Sequence, residues 1–497
     1  MYRGRLWVIR QLTGFNSAEE TRKRMLNLVK AGTTGLNMLA DVPSSLCIDS
    51  DHPFARGEIG VTGVPLSSLA DMEEMMEGIE MDQVDISISI HTCFSPIVVA
   101  QYLALAEKRG VESSKLRGTI QNNPLIGRYR GYEPGARYLD ICLKCCGDII
   151  EYAVEHLPLW TPTNVNFGIS QSHHVDTPTE VALGFSEAIS YIEEVVRRGC
   201  DVEKVVGRIL FFAMSDINLL EEVAKFRAMR RMWSRILKDR FGITNEKAMR
   251  FRFGSATCGY PLYPQEVLNN IVRLSYQALA LVLGGAQSIF VCGFDEPVGI
   301  PSEEAQRLSL QIQHILANET GVASVADPLG GSYYIEALTN KIETRAFERI
   351  EKIDKMGGMV KAIEKKWVDK VLDECDLAYM NGLSEGRISK VGVNIFTTPI
   401  EKQPIVEPDR IPLDVTKKRL EKLKGLRESR NQEAVEGTLK VVYEKAKEKK
   451  ENLLPCIIEA VKTYATVGEI FGTIQMAYGN PYDAFGQLEA PFQFLRT

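Results

Sequence analysis

The chain has 497 residues, too many for one small core, so it divides into a large domain with an appendage or into several domains. Hydrophobic residues make up 45% and charged residues 25%, and the formal net charge is −6, which gives no global reason to bind nucleic acid or an anionic membrane. No apolar run is long enough to span a bilayer, and the start at Met1 lacks the apolar stretch of a signal peptide, so the cytoplasm is the expected compartment.

The elements follow in a repeating order. Val84–Ile90 alternates β-branched and small polar residues and predicts a strand; Ile97–Lys108 predicts a helix and Gly118–Gln121 the next strand. Thr163–Ser170 predicts a strand, Pro178–Arg198 a long helix, Arg208–Phe212 a strand and Leu219–Phe241 a helix. Arg250–Thr257 and Gln287–Cys292 predict strands, followed respectively by helices at Pro264–Leu283 and Glu303–Glu319. Repeated β-α units predict an α/β fold with a parallel sheet, and their number without a dinucleotide fingerprint favours a (β/α)8 TIM barrel over residues 1–395.

Two of these strands have an unusual composition. Asp85, Ser87 and Ser89 share one face and Ile86, Ile88 and Ile90 the other; Asn164, Asn166, Gly168 and Ser170 oppose Val165, Phe167 and Ile169. An ordinary barrel fills its interior with bulky branched residues. Small polar faces turned inward predict an open interior that admits something long and polar; two half-exposed antiparallel strands would show the same pattern. After Asn394 the composition changes. Residues 396–415 read as a linker, with four prolines between Thr397 and Pro412, and residues 416–497 as a helical extension. Thr416–Lys450 is rich in Lys and Glu and reads as a solvated helix with one apolar stripe through Leu420 and Leu423; Leu453–Met476 is apolar enough to pack on the barrel or on another subunit.

Ten cysteines are scattered without paired CxxC spacing, and none of the six histidines lies in an HExxH pattern, so a zinc hydrolase is not indicated. Other motifs recur in a fixed order. They are Arg5-Leu6-Trp7-Val8-Ile9-Arg10-Gln11, Asp41-Val42-Pro43 followed by Asp49-Ser50-Asp51-His52-Pro53, and Gly118-Thr119-Ile120-Gln121-Asn122. Glu222-Val223-Ala224-Lys225-Phe226-Arg227-Ala228, Asp327-Pro328-Leu329-Gly330-Gly331-Ser332, Gly357-Gly358-Met359 and Gly392-Val393-Asn394 complete the series. Together they resemble the large subunit of the methylmalonyl-CoA mutase family, in a divergent form similar to the 2-hydroxyisobutyryl-CoA and isobutyryl-CoA mutase large subunits.

The resemblance implies an adenosylcobalamin-dependent acyl-CoA mutase, an isomerase in which a barrel holds the pantetheine arm of a CoA thioester while a radical rearranges the acyl skeleton. The family's cobalamin domain carries an Asp-x-His-x-x-Gly motif that is missing here, and Ala465-Thr466-Val467-Gly468-Glu469-Ile470 resembles the last helix before that domain. A separate cobalamin-binding small subunit and a hetero-oligomer are therefore expected, with no metal ligand on this chain.

Carried over by position, Gln121 stands near the thioester, and either Ser170 or His173 takes the place of the histidine that hydrogen-bonds the thioester carbonyl. Arg5, Arg10, Leu12, Thr119, Arg130, Arg208, Gly254 and Ala256 fall at substrate-binding positions. Glu296 falls at a contact to the adenosyl ribose, and Cys292 at a neighbouring cofactor position where the family has asparagine. Several positions depart from methylmalonyl-CoA mutases. A tyrosine becomes Leu12, and the carboxylate-binding arginine becomes Gly131, with Arg128 and Arg130 close enough to restore a cation. Gly-Tyr-His becomes Gly168-Ile169-Ser170, and His-Ser-Gln-Thr becomes Gly254-Ser255-Ala256-Thr257. Large polar groups give way to small or apolar ones, which predicts a wider pocket for a bulky acyl group: an alkyl- or aryl-substituted succinyl-CoA, or a branched acyl-CoA without a second carboxylate. The alternatives are an isobutyryl-, 2-hydroxyisobutyryl- or methylmalonyl-CoA mutase subunit, and a non-catalytic CoA-binding or assembly homologue.

Overall fold

The computed structural model describes residues 2–30, 35–89, 94–126, 139–404 and 413–495. It is an α/β fold whose strands are β1 (Val8–Arg10), β2 (Leu12–Thr13), β3 (Gly35–Leu39), β4 (Asp85–Ser89), β5 (Arg117–Ile120), β6 (Trp160–Thr161), β7 (Thr163–Asn166), β8 (Ile209–Ser215), β9 (Phe253–Thr257) and β10 (Ser288–Phe290). They form two five-stranded sheets, ordered β1-β10-β9-β8-β7 and β2-β3-β4-β5-β6, and every described register is parallel. The intervening helices make the crossovers that parallel strands require. No helix among the described residues is long and apolar enough to cross a membrane.

The chain divides into two compact units. One comprises Met1–Gln11, Val165–Ser190 and Ile209–Arg410, and the other Leu12–Asn164, Tyr191–Arg208 and Ile411–Thr497. In the first unit the helix-covered side of the sheet carries an aromatic core. Phe211 and Phe253 are fully buried; Phe211 meets Trp233 at a ring-centroid distance of 4.7 Å, and Phe253 meets Phe226 at 5.1 Å. The helix Leu219–Phe241 is then fastened to the helix Tyr333–Lys355 by Arg231 and Arg235 on Glu343 and by Arg227 on Glu336.

In the second unit Leu36, Met38, Ile86, Ile88 and Ile120 are fully buried on the helix side of the sheet. The C-terminal helices belong to this unit, and Leu454–Lys462 packs on Ser95–Lys108, the packing that its apolar composition allowed. The basic segment departs from the solvated helix expected of it. It forms two helices, Leu413–Ser429 and Gln432–Glu448, and Arg419 pairs with buried Asp71, Arg427 with Asp49 and Asp51, and Arg430 with Glu469. Asp49 also accepts from the Thr466 hydroxyl at 2.6 Å and the Gly468 amide at 3.0 Å, so part of the Asp-Ser-Asp motif anchors the extension. Charge pairing holds the first of these helices, and the second also buries the apolar stripe Val435, Leu439, Val442 and Ala446.

The strand expected over Thr163–Ser170 ends at Asn166. The Asn166 side chain accepts the Gly168 amide at 2.8 Å, and the chain turns into a helical segment, Gly168–Gln171. An asparagine that captures a nearby backbone amide competes with strand pairing in this way. Gly168 and Ser170 therefore leave the strand face on which period-two counting placed them.

Candidate active site

In the second unit the polar strand faces form continuous rows. Leu12, Asn37, Ser87, Thr119 and Thr161 are in register across β2 to β6, and Leu39 is beside Ser89 in the next row. Ser89 donates to Asn37 at 3.1 Å. Thr119, Gln121 and Asn164 are 5%, 6% and 6% exposed, yet Thr119 Oγ1, Gln121 Oε1 and Asn164 Oδ1 have no hydrogen-bond partner among the described residues. A buried polar group without a partner costs about 1–3 kcal/mol. Thr119 lies on β5 and Gln121 just beyond its end, while Asn164 lies on β7 of the other sheet; each leaves a buried oxygen open to a polar ligand.

The corresponding face in the first unit is apolar. Val8, Ser288, Gly254 and Phe212 share one row, and Arg10, Phe290, Ala256 and Met214 the next. Phe212, Met214 and Phe290 remain half-buried, whereas Ala213 and Ile289 on the other side are fully buried. The small residues Gly254 and Ala256 leave room between them. Small polar faces thus hold for β3 to β5 but not for β8 to β10.

Three segments of the first unit gather titratable groups. His173 Nδ1 lies 2.7 Å from Asp376 Oδ2 and His174 Nδ1 3.0 Å from Asp376 Oδ1, so one carboxylate on the helix Trp367–Ser384 clasps two imidazoles. His174, at φ 53°, stacks on Tyr379 with ring centroids 3.6 Å apart, and the Tyr379 hydroxyl is 2.7 Å from that of Tyr263. Burial and that hydrogen bond raise the Tyr379 phenol, and burial lowers the Lys390 ammonium, which sits 5.9 Å from both tyrosine rings.

Beyond β10, Cys292 Sγ donates to the Thr257 carbonyl at 3.2 Å, and its thiol is pushed well up by burial, with Glu296 adding to the effect. Glu296 as a residue reaches the surface, but protein atoms crowd its carboxyl. That desolvation raises it above the ordinary carboxylate range, with Asp295 adding and against the Cys292 thiol, whose one proton serves either the Thr257 carbonyl or this carboxylate. A side chain at Gly259 would meet Glu296 Oε1 at 2.6 Å, so the glycine makes room for the carboxylate.

The methylmalonyl-CoA mutase family model matches residues 1–480. The chain belongs to that family. It is 38% identical over 484 residues to the 2-hydroxyisobutanoyl-CoA mutase large subunit of Aquincola tertiaricarbonis, covering 96% of this chain and 85% of that one. It is 32% identical over 483 residues to the mitochondrial methylmalonyl-CoA mutase of Homo sapiens and 32% over 487 to the methylmalonyl-CoA mutase of Rhizobium meliloti (strain 1021). Those alignments cover 96% and 97% of this chain but only 64% and 67% of the two mutases. These relatives are named CoA mutases, which are isomerases.

The positions carried over from the mutase family separate on the structure. Thr119 lies in the polar row that Leu12 joins, Gln121 follows just beyond the end of β5, and both leave an oxygen unpartnered among the described residues. Arg10, Gly254 and Ala256 share the apolar rows, and Glu296 and Cys292 are in mutual contact. Arg5 is exposed. Arg128, Arg130 and Gly131 lie outside the described residues. Arg208 is occupied elsewhere: it donates to the carbonyls of Ala153, at 2.8 Å, and of Leu157 and Trp160, closing the end of the helix Leu139–His156. Ser170 Oγ donates to the Phe167 carbonyl at 3.0 Å within its own turn. Asn164, His174, Asp376, Tyr263, Tyr379 and Lys390 were not singled out as site residues from the sequence. Of these, Asn164, on a polar strand face, and His174, beside His173, gave a local signal; the others are brought in by the fold.

Proposed function

We propose that this chain is the acyl-CoA-binding subunit of an adenosylcobalamin-dependent mutase whose substrate carries a bulky, largely apolar acyl group. The three buried, unpartnered polar atoms of Thr119, Gln121 and Asn164 are the observation that carries the reading. A pantetheine arm offers amide N–H donors to the two carbonyl acceptors and either role to the hydroxyl. The apolar rows around Gly254 and Ala256 suit an acyl branch, and the family supplies the reaction class. We further propose that the ten strand segments make eight barrel strands, since single residues, Gln11 and Pro162, separate β1 from β2 and β6 from β7.

With its hydroxyl donated to Phe167, Ser170 is the weaker candidate for the thioester carbonyl. His173 has Nδ1 held by the Asp376 carboxylate, so its Nε2 accepts when the ring is neutral and donates when both nitrogens are protonated; we assign the doubly protonated ring the thioester carbonyl. Glu296 fits the hydroxyls of an adenosyl ribose, because its carboxylate is held beside Cys292 and given space by Gly259. Adenosylcobalamin, when bound, supplies the hydrogen-abstracting radical; the chain binds and orients the thioester and excludes water from it. A relative named as a large subunit that aligns over 96% of this chain supports a separate cobalamin-binding partner. Calorimetric titration with isobutyryl-CoA and with an aryl-substituted succinyl-CoA tests the binding half of this reading. Saturable binding that needs the acyl group supports it, and absence of binding by either thioester refutes it.

A further inference from the structure

Beneath its apolar face the first unit buries a lysine between two glutamates. Lys225 is fully buried, and Glu180 and Glu222 are 1% and 3% exposed. Lys225 Nζ lies 3.0 and 3.1 Å from the two Glu180 oxygens and 2.6 Å from Glu222 Oε2, and it donates to the Met214 carbonyl at 2.9 Å. Glu222 Oε1 accepts from Gln171 Nε2 at 3.3 Å. Both ends of this cluster lead to the face above. Met214 is one of its apolar residues, and Gln171 ends the turn Gly168–Gln171, whose Gly168 lies against the Met214 side chain.

Charge balance sets what the cluster must do. Two carboxylates and one ammonium out of water leave one negative charge without a counterion. Among the described residues the groups around them do not supply it: Asp216 and Glu221 are acidic, Cys258 is a buried thiol held above its ordinary range, and the ammonium of Lys390 acts on Asp216 and Cys258, not on either glutamate. An uncompensated buried carboxylate takes up a proton. Burial pushes Glu180 up to about 7 and Glu222 up to about 8, against the opposing pull of Lys225, and the two titrate as a pair. Burial also disfavours the Lys225 ammonium, but the two carboxylates outweigh it and hold it above its usual range.

We propose that Glu180, Lys225 and Glu222 are positioning residues that share one proton, and that this proton fixes the Met214 carbonyl and the Gly168–Gln171 turn, and through them the shape of the apolar face. The functional meaning rests on that face being the acyl site; the proton coupling does not. In the unfolded chain both glutamates have a pKa of about 4.3. The folded pair therefore binds the extra proton, and its contribution to stability is complete below the unfolded value and is lost as pH rises through about 7 to about 8.

The test needs no turnover, so its failure is distinct from failure of the mutase reading. Melting temperature and hydrogen-exchange protection at residues 169–171 are followed from about pH 6 to about pH 9, for the full chain and for Glu222→Gln and Lys225→Met. In the unmodified chain both should fall as pH rises towards the titration, protection by up to about tenfold per pH unit, as release of one proton on opening requires, and both should level off above it, past about pH 8. Glu222→Gln keeps a neutral acceptor in place and should be flat in both readouts; Lys225→Met should be less stable and fall more steeply. A pH-flat unmodified chain, or a Glu222→Gln variant that keeps the full pH dependence, overturns the proposal even if Lys225→Met fails to fold.

Discussion

Alanine at Gly254 tests the acyl-pocket assignment with little disturbance of the fold. An added Cβ would meet Ser288 Oγ at 2.9 Å and Phe212 Cδ2 at 3.9 Å. Only the first contact is tight, and it involves the end of a small side chain that can rotate away. Glycine inside a strand is about 0.5–1 kcal/mol worse than alanine, which offsets that adjustment. The melting temperature should therefore move by no more than about 2–4 °C. The methyl group would occupy space on the apolar face, between the Phe212 and Ser288 strands. One methylene-sized change in a hydrophobic pocket alters discrimination by roughly 10- to 200-fold. With the cobalamin-binding partner and adenosylcobalamin present, kcat/KM for an aryl-substituted succinyl-CoA should fall by that factor relative to isobutyryl-CoA. An equal change for both thioesters with an unchanged melting temperature would refute the assignment.

Thr119→Val removes an unpartnered hydroxyl at nearly constant volume. It should leave the ligand-free melting temperature unchanged or higher, while titration shows acyl-CoA affinity weakened by about 0.5–1.5 kcal/mol. Arg208→Ala strips the donor from three carbonyls and should cost about 1–3 kcal/mol in chemical denaturation with CoA affinity intact; the reverse pattern would return Arg208 to the substrate. Asp376→Asn loosens the clasp on His173 and should lower kcat by roughly 100-fold with little change in thioester affinity, measured by single-turnover kinetics. Gly259→Ala drives a methyl group into the Glu296 carboxylate, and equilibrium titration should show weaker adenosylcobalamin binding with acyl-CoA binding retained.

Much of the fold was legible because its signals are local. The helix Leu219–Phe241 matches its predicted span, and Asp85–Ser89 alternates as its isoleucines and serines require. Where prediction failed, a side chain had captured backbone or charge from elsewhere. Asn166 ends β7 by taking the Gly168 amide, and Arg419, Arg427 and Arg430 draw a basic helical segment into ion pairs with Asp71, Asp49, Asp51 and Glu469. The site was legible to the same extent. Thr119 and Gln121, on a strand and at its end, were found by the resemblance to the mutase family, and the register then puts Thr119 in the polar row with Ser87. Asp376 and Lys390 lie in a charged stretch that gives no hint of His173 or Tyr263, because contacts so distant in sequence are set by topology. Lys225 marked the family, but a lysine in a helical motif reads as solvent-facing until its burial is seen.

The central claim is that the chain binds a bulky acyl-CoA for isomerisation. The direct measurement combines the purified chain, its cobalamin-binding partner and adenosylcobalamin with thioesters from isobutyryl-CoA to aryl-substituted succinyl-CoA, and follows isomer formation by mass-resolved chromatography. The account predicts that a bulky member is isomerised with the highest kcat/KM. Binding of the thioesters without any isomer would contradict it and leave a CoA-binding subunit that does not catalyse.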